Sequence, residues 1–398
     1  MRKSLAVLAA TALLLSGCAA SSGSGGGGDV IKIGASLPLT GPLASFGGVL
    51  QDGYQAAVDE VNKAGGIDID GTTRKVELTV LDSASDPNTV SEQTRTLVQQ
   101  NEVAGLLGSV SPGLTIPASN VADLEKVPLV SSLTPIQSWK AGNADGWQYA
   151  WDLFFDELQQ TSVPFEAADL LDTNKKVALF TDNEEDGIAM GGLWTEKAPS
   201  LGYEIAYHAE FPIGTTDYSS YIAAAKESGA EIVITQMIPP DAFALWKQMK
   251  ALAFVPKAAF CEKCSSQAAF QAELGPIAES TSTSYITAAS DDATTQALRE
   301  EFGAKYGDTV DLTSVLASYT AARILLDAIA AAGSVEPSAI NSAIAATSGQ
   351  YPVGEVTFDD EHAFAIDAVA LQWQGDAQVQ VSPAADGIEF IAPVTGLQ

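Results

Sequence analysis

What most constrains this chain is a rhythm. Short apolar runs alternate with longer stretches of helical spacing, and the alternation plays twice. Residues 31–35 read as a strand, and 47–63 as a helix with Leu50, Tyr54, Ala57, Val58 and Val61 on one face. Gly65-Gly66 supplies the stop that a helix C-terminus prefers. Strands at 76–81, 105–108 and 129–132 follow, with helices at 88–100 and 114–125 between them. Near residue 150 the pattern restarts, with strands at 176–180, 204–211, 231–235 and 257–260 and helices at 188–201, 218–228 and 242–253. Such alternation builds parallel sheets covered by helices. The expected class is therefore α/β, as two doubly wound parallel-sheet lobes. Length agrees, because a chain of 398 residues exceeds what one hydrophobic core organises. A long Ala-rich helix at 314–332, a shorter one at 338–346, and a hairpin joining 355–358 to 369–373 across Asp359-Asp360 complete the expectation.

The N-terminus carries an address. Arg2-Lys3 precedes an apolar run from Leu5 to Leu15, too short to span a bilayer and built like a secretory signal. Its ending, Leu15-Ser16-Gly17-Cys18, resembles the lipobox of bacterial lipoproteins. That resemblance implies a signal peptide over 1–17, cleavage before Cys18 and lipidation of the Cys18 thiol. The bland alternative is an ordinary cleaved signal with Cys18 incidental. Residues 19–28, almost all Ser and Gly, form a flexible tether. The expected location is the extracytoplasmic face of the cell membrane, held by a lipid anchor.

Charge and chemistry narrow the function. With 50 acidic residues against 20 basic ones, the chain lacks the Lys/Arg clusters that nucleic acid demands. Charged residues make up 18% and hydrophobic ones 46%, the balance of a folded protein. The only histidines, His208 and His362, have no positioned partner in sequence, and Ser109-x-Ser111-x-Gly113 misses the nucleophile-elbow pattern at its first glycine. No phosphate-binding loop occurs. No enzyme, metal or cofactor is expected, and Asp359-Asp360-Glu361 reads as a solvated turn. Cys261 and Cys264 are spaced C-x-x-C. A zinc site lacks further ligands nearby, a redox pair at a helix start stays open, and a local disulfide suits an exported chain best.

Several blocks together resemble the type I periplasmic binding proteins of the branched-chain amino acid (leucine/isoleucine/valine) transport group. These are Ile33-Gly34-Ala35-Ser36-Leu37-Pro38-Leu39-Thr40-Gly41-Pro42, the run from Ala57 to Ile67, Asp82-Ser83-Ala84-Ser85-Asp86-Pro87, Gly214-Thr215-Thr216-Asp217-Tyr218, and Tyr319-Thr320-Ala321-Ala322. The resemblance implies two lobes joined by three crossovers, placed near 149–152, 282–286 and 350–354. Lobe one would then hold 29–150 with 284–352, and lobe two 151–283 with 353–398. It further implies capture of a small organic ligand, an amino acid or a related amide, amine or aromatic compound, by closure of the cleft. The partner would be an ABC permease in the membrane. The alternative is the same clamp reporting to a membrane signalling protein.

The family's ligand contacts come from loops after strands. By that resemblance Ser111 and Gly113, at the start of a helix, would receive a carboxylate. Ser131, Leu133 and Thr134 fall in the loop that grips an amino acid backbone, although Pro135 stands near the expected Thr. Phe46 would line the pocket or act as a hydrophobic staple. Trp151, Phe154 and Phe155 would wall it with aromatic rings. In lobe two, Asp186, Met237 and Glu262 are the candidates, Glu262 as partner of a ligand ammonium and Asp186 alternatively as a helix cap.

Overall fold

A computed structural model describes residues 30–286, 292–306, 310–384 and 387–398. The signal, Cys18 and the tether lie outside the described residues. The chain begins with β1 (Ile31–Leu37), α1 (Ala44–Lys63), a small hairpin β2 (Ile67–Ile69) and β3 (Thr72–Arg74), then β4 (Val76–Asp82) and α2 (Pro87–Gln99). Next come β5 (Gly105–Leu107), α3 (Ser111–Glu125), β6 (Leu129–Ser132), α4 (Ile136–Ala141) and β7 (Ala150–Phe154). The second unit runs α5 (Glu157–Gln160), α6 (Val163–Ala168), β8 (Lys176–Asp182), α7 (Glu185–Lys197), β9 (Glu204–Phe211), α8 (Ser219–Glu227) and β10 (Ile232–Gln236). It continues through α9 (Pro239–Ala251), β11 (Ala258–Glu262), α10 (Ala268–Leu274) and β12 (Ser282–Ile286). Then follow α11 (Ala293–Tyr306), α12 (Val310–Ala332), α13 (Pro337–Ala345), the hairpin β13 (Ser348–Tyr351) and β14 (Gly354–Thr357), β15 (Ala363–Ala365), β16 (Ala368–Gln374) and β17 (Ala377–Ser382).

Two sheets result. The first has the order β15-β7-β6-β5-β1-β4 and the second β17-β16-β12-β11-β10-β8-β9. Strands of the first pair in parallel throughout. The second is parallel from β9 to β12 and antiparallel at β16 and β17. Each sheet reverses its winding once, between β1 and β5 in lobe one and between β8 and β10 in lobe two. Such reversal points leave a crevice beyond the strands' carboxyl ends, and the two crevices face each other.

Local signals explain the elements. Asp86 caps α2 by accepting the Thr89 amide at 2.7 Å. Gly66 closes α1 at φ +114°, and a Cβ there would meet the Arg74 carbonyl oxygen at 2.2 Å, so only glycine fits. Leu312–Ala332 is apolar and long enough to cross a membrane, with a mean hydropathy of 1.5, yet it is mostly buried. It packs on α1 and β6 as the core helix of lobe one.

The structure moves the expected boundaries. Ala150–Phe154 pairs with β6 and is buried along its length, so it belongs to lobe one, and the first crossing comes after residue 154. Residues 284–286 pair with β16 in lobe two, so the return comes later than residue 284. Val353, Val356 and Phe358 sit in the lobe-one core, and β15 pairs with β7, so the last crossing falls between β15 and β16. The expected hairpin is also replaced. Residues 354–357 fold back on Ser348–Tyr351, and β16 pairs with β12 and β17. The turn at Pro352-Val353 is local and short, whereas β16 joins its own sheet through β12, far away in sequence, and through the adjacent β17.

Candidate functional site

The facing crevices enclose one shared pocket. From lobe one come Phe46 at the start of α1, Val110 and Ser111 before and at the start of α3, and Leu133 and Pro135 after β6. Phe154 and Phe155 join them from the end of β7. Lobe two contributes Asp186 in the first turn of α7, Gln236 at the end of β10, Lys263 just after β11, and Tyr285 of β12. The cavity measures about 30 Å³, room for little more than a pair of waters. One wall is apolar and aromatic, with Phe154 set 4.4 Å from the Phe155 ring and edge-on to Tyr285 at 5.8 Å.

The lobe-two wall is polar and tightly paired. Lys263 Nζ bonds Glu184 and lies 3.1 Å from Asp186 Oδ2, and Gln236 Nε2 donates to the same oxygen at 3.0 Å. Asp182, Glu184 and Asp186 bring carboxylate oxygens within 4.8 Å of one another, and the cation set among them is Lys263. Burial opposes the charge on Lys263, but Asp186, Glu184 and Asp182 outweigh it and hold the amine protonated. Burial pushes Asp182 up to about 7, against the pull of Lys263. Asp182 meanwhile accepts the amides of Glu184 and Ile238, each at 3.2 Å.

Phe46, Ser111, Leu133, Phe154 and Asp186 all face this pocket. Ser111 Oγ is buried without a hydrogen-bond partner. Its amide donates to the Leu133 carbonyl at 3.2 Å, and Pro112 has no N–H, so the loop offers fewer free amides than expected. The remaining candidates lie elsewhere. Gly113 sits at the lobe boundary, where a Cβ would come 3.5 Å from Glu185. Ser131 is turned under the pocket, donating to Asp152 Oδ1 at 2.5 Å, and Thr134 shares a 2.7 Å bond with Thr115. Trp151 points away, stacked 3.6 Å from the His362 ring, with its indole donating to Asn341 at 2.8 Å. Met237 belongs to the lobe-two core. Glu262 leans sideways along the sheet, accepting the Ser284 amide at 2.8 Å and the Thr283 hydroxyl at 3.1 Å, with burial pushing it up to about 8.

Sequence reasoning missed Gln236, Lys263 and Tyr285. The first two had a signal: both sit at the carboxyl ends of lobe-two strands, beside the winding reversal. Tyr285, inside a strand, had none. Cys261 and Cys264 form the local disulfide, Cα to Cα 5.5 Å.

Known proteins share this fold. The family described as periplasmic binding protein matches residues 30–378. The Leu/Ile/Val-binding protein homolog 7 of Brucella suis is 26% identical, over 98% of this chain and 99% of its own. The leucine-, isoleucine-, valine-, threonine- and alanine-binding protein of Pseudomonas aeruginosa is 23% identical over 88% of this chain and 91% of its own. Among solved structures, the branched-chain amino acid transporter substrate-binding protein of Streptococcus pneumoniae, in complex with isoleucine, superposes with a TM-score of 0.75 at 22% identity. It covers 92% of this chain and 100% of that one. An ABC transporter solute-binding protein from R. palustris, in complex with benzoate, reaches 0.76 at 19% identity, covering 92% and 97%. All of these are binding proteins rather than enzymes. The chain belongs to the periplasmic binding protein family.

Proposed function

We propose that this protein captures an α-amino acid with an apolar or aromatic side chain outside the cell and delivers it to an ABC permease. The observation that carries the reading is the pocket's division of labour between lobes. The unpartnered Ser111 hydroxyl at the start of α3 suits a carboxylate. Asp186, opposite it on the other lobe, suits an ammonium that would share the carboxylate with Lys263 and Gln236. Phe46, Phe154, Phe155 and Tyr285 suit the side chain. The names of the Brucella and Pseudomonas relatives support the same ligand class. The small enclosed volume supports a clamp, because an amino acid enters only when the lobes part, and its contacts to both lobes then favour closure. Lipidation at Cys18 would keep the clamp near its permease; a Cys18→Ser variant is expected to leave the membrane fraction.

The test is thermal unfolding of the domain from Asp29 onward with L-leucine, L-isoleucine, L-valine, L-phenylalanine and benzoate. A ligand at about 100 times its dissociation constant adds about 2.7 kcal/mol. A shift with one or more of the amino acids supports the reading. A shift with benzoate alone removes the ammonium half of it, and no shift with any of the five overturns it.

A further inference from the structure

We propose that the Cys261–Cys264 disulfide is a positioning device for the ligand pocket, fixing the turn that aims Lys263 into it. This rests on the pocket being the ligand site. The four residues divide three tasks among them. Cys261 and Cys264 are fully buried in the lobe-two core. Glu262 turns sideways to the Ser284 amide and the Thr283 hydroxyl. Lys263 enters the pocket and joins Glu184 and Asp186.

The backbone holds the turn on one side only. On the β12 side the ladder is a single pair, Phe260 with Ser282, whereas on the β10 side it runs through Glu262 and stops before Lys263. Lys263 sits at φ +66°, a left-handed conformation that a lysine adopts only when its surroundings impose it. A crosslink spanning three residues does so by anchoring both ends of the turn in the core. The Ser265 amide and hydroxyl, bonded to the Cys261 carbonyl at 3.1 and 2.8 Å, continue the closure beyond Cys264. Lys263 in turn ties the start of α7 to the ends of β10 and β11 through Asp186 and Gln236. The disulfide therefore acts on the polar wall through Lys263, which separates this role from general stabilisation of the lobe.

The experiment is native-state amine labelling with an N-hydroxysuccinimide ester, mapped by mass spectrometry, on the wild-type domain and on C261A/C264A. Lys247, half-exposed and far from the turn in sequence, is the internal standard. Labelling of Lys263 relative to Lys247 should rise at least tenfold in the variant. Lys263 labelling that stays at the wild-type ratio overturns the proposal, even if the variant melts earlier. Should the alanine pair not fold, C261V/C264V refills the same apolar volume and serves instead. In a second arm, L-leucine and L-isoleucine titrations should show at least tenfold weaker binding to the variant, and unchanged binding counts against the proposal. If the wild type binds neither, the proposed ligand class has failed, and the labelling ratio alone decides the disulfide's role.

Discussion

The Ser111 amide donates to the Leu133 carbonyl at 3.2 Å, and both residues are left-handed, at φ +63° and +59°. This bond ties together the two lobe-one loops that floor the pocket. It spends the backbone groups of both loops on each other and leaves the Ser111 hydroxyl as the free polar group of that floor. Two non-glycine residues in that conformation cost energy that the surroundings must offset, the expected mark of a site shaped for something other than stability.

Ser111→Ala should therefore separate binding from folding. The hydroxyl has no partner among the described residues, so its removal should change the urea midpoint little or raise it. A hydrogen bond to a ligand carboxylate is worth about 1.5–3 kcal/mol, so L-leucine affinity should fall about tenfold or more in calorimetry. Unchanged affinity would place the carboxylate elsewhere.

Asp186→Asn should destabilise the protein by about 3 kcal/mol, since removing one partner of a buried pair leaves the other charge uncompensated. Lys263 keeps Glu184, which holds the loss near the low end of that range. Combining Asp186→Asn with Lys263→Met should recover part of it. A double-mutant cycle by chemical denaturation should return a coupling of roughly 1–3 kcal/mol; strict additivity would mean the two groups do not interact.

The joint between α1 and α12 gives a prediction of opposite sign to intuition. In an exposed helix, Gly→Ala gains about 1 kcal/mol. At Gly53 a Cβ would meet the Val315 carbonyl at 2.6 Å, the Tyr319 amide at 2.7 Å and Ser318 Cβ at 2.6 Å. Backbone atoms cannot step aside, so Gly53→Ala should cost roughly 1–3 kcal/mol. A stabilised variant would show that the two helices separate freely.

The sequence carried the architecture because its helical and apolar periods are strong and local, and the family resemblance put forward Phe46 and Ser111, which line the pocket. It failed at strand parity. Trp151 and Phe154 lie three apart on one strand, so they face opposite sides; one stacks on His362 while the other reaches the pocket. Glu262 and Lys263 are neighbours at the end of β11, and only Lys263 lines the pocket, because Glu262 turns to Ser284 and Thr283. The tail was illegible for another reason. Residues 363–365, and the β12 edge of 368–374, pair with strands more than 80 residues away in the chain, and no local pattern encodes that; only the β16–β17 hairpin is local.

Glu262 gives the clearest pH dependence. Its carboxyl is fully buried between β11 and β12, and burial raises it from 4.5 to about 8 despite the bonds from Ser284 and Thr283. Below about pH 4.5 the group is neutral in both folded and unfolded chains, and it imposes no ionisation cost. Above that the unfolded chain ionises while the native carboxyl holds its proton. The native state then binds more protons, and stability falls as pH rises, until the native group ionises near pH 8. Glu262→Gln keeps the shape and cannot ionise. Other raised carboxyls, such as Asp182 and Asp241, are common to both proteins and cancel in the difference. The stability of wild type relative to Glu262→Gln should thus drop between pH 5 and 8, by up to about 1.4 kcal/mol per pH unit. Denaturation of both proteins across that range measures it, and a difference that stays flat with pH would mean the native carboxyl is already ionised at pH 5.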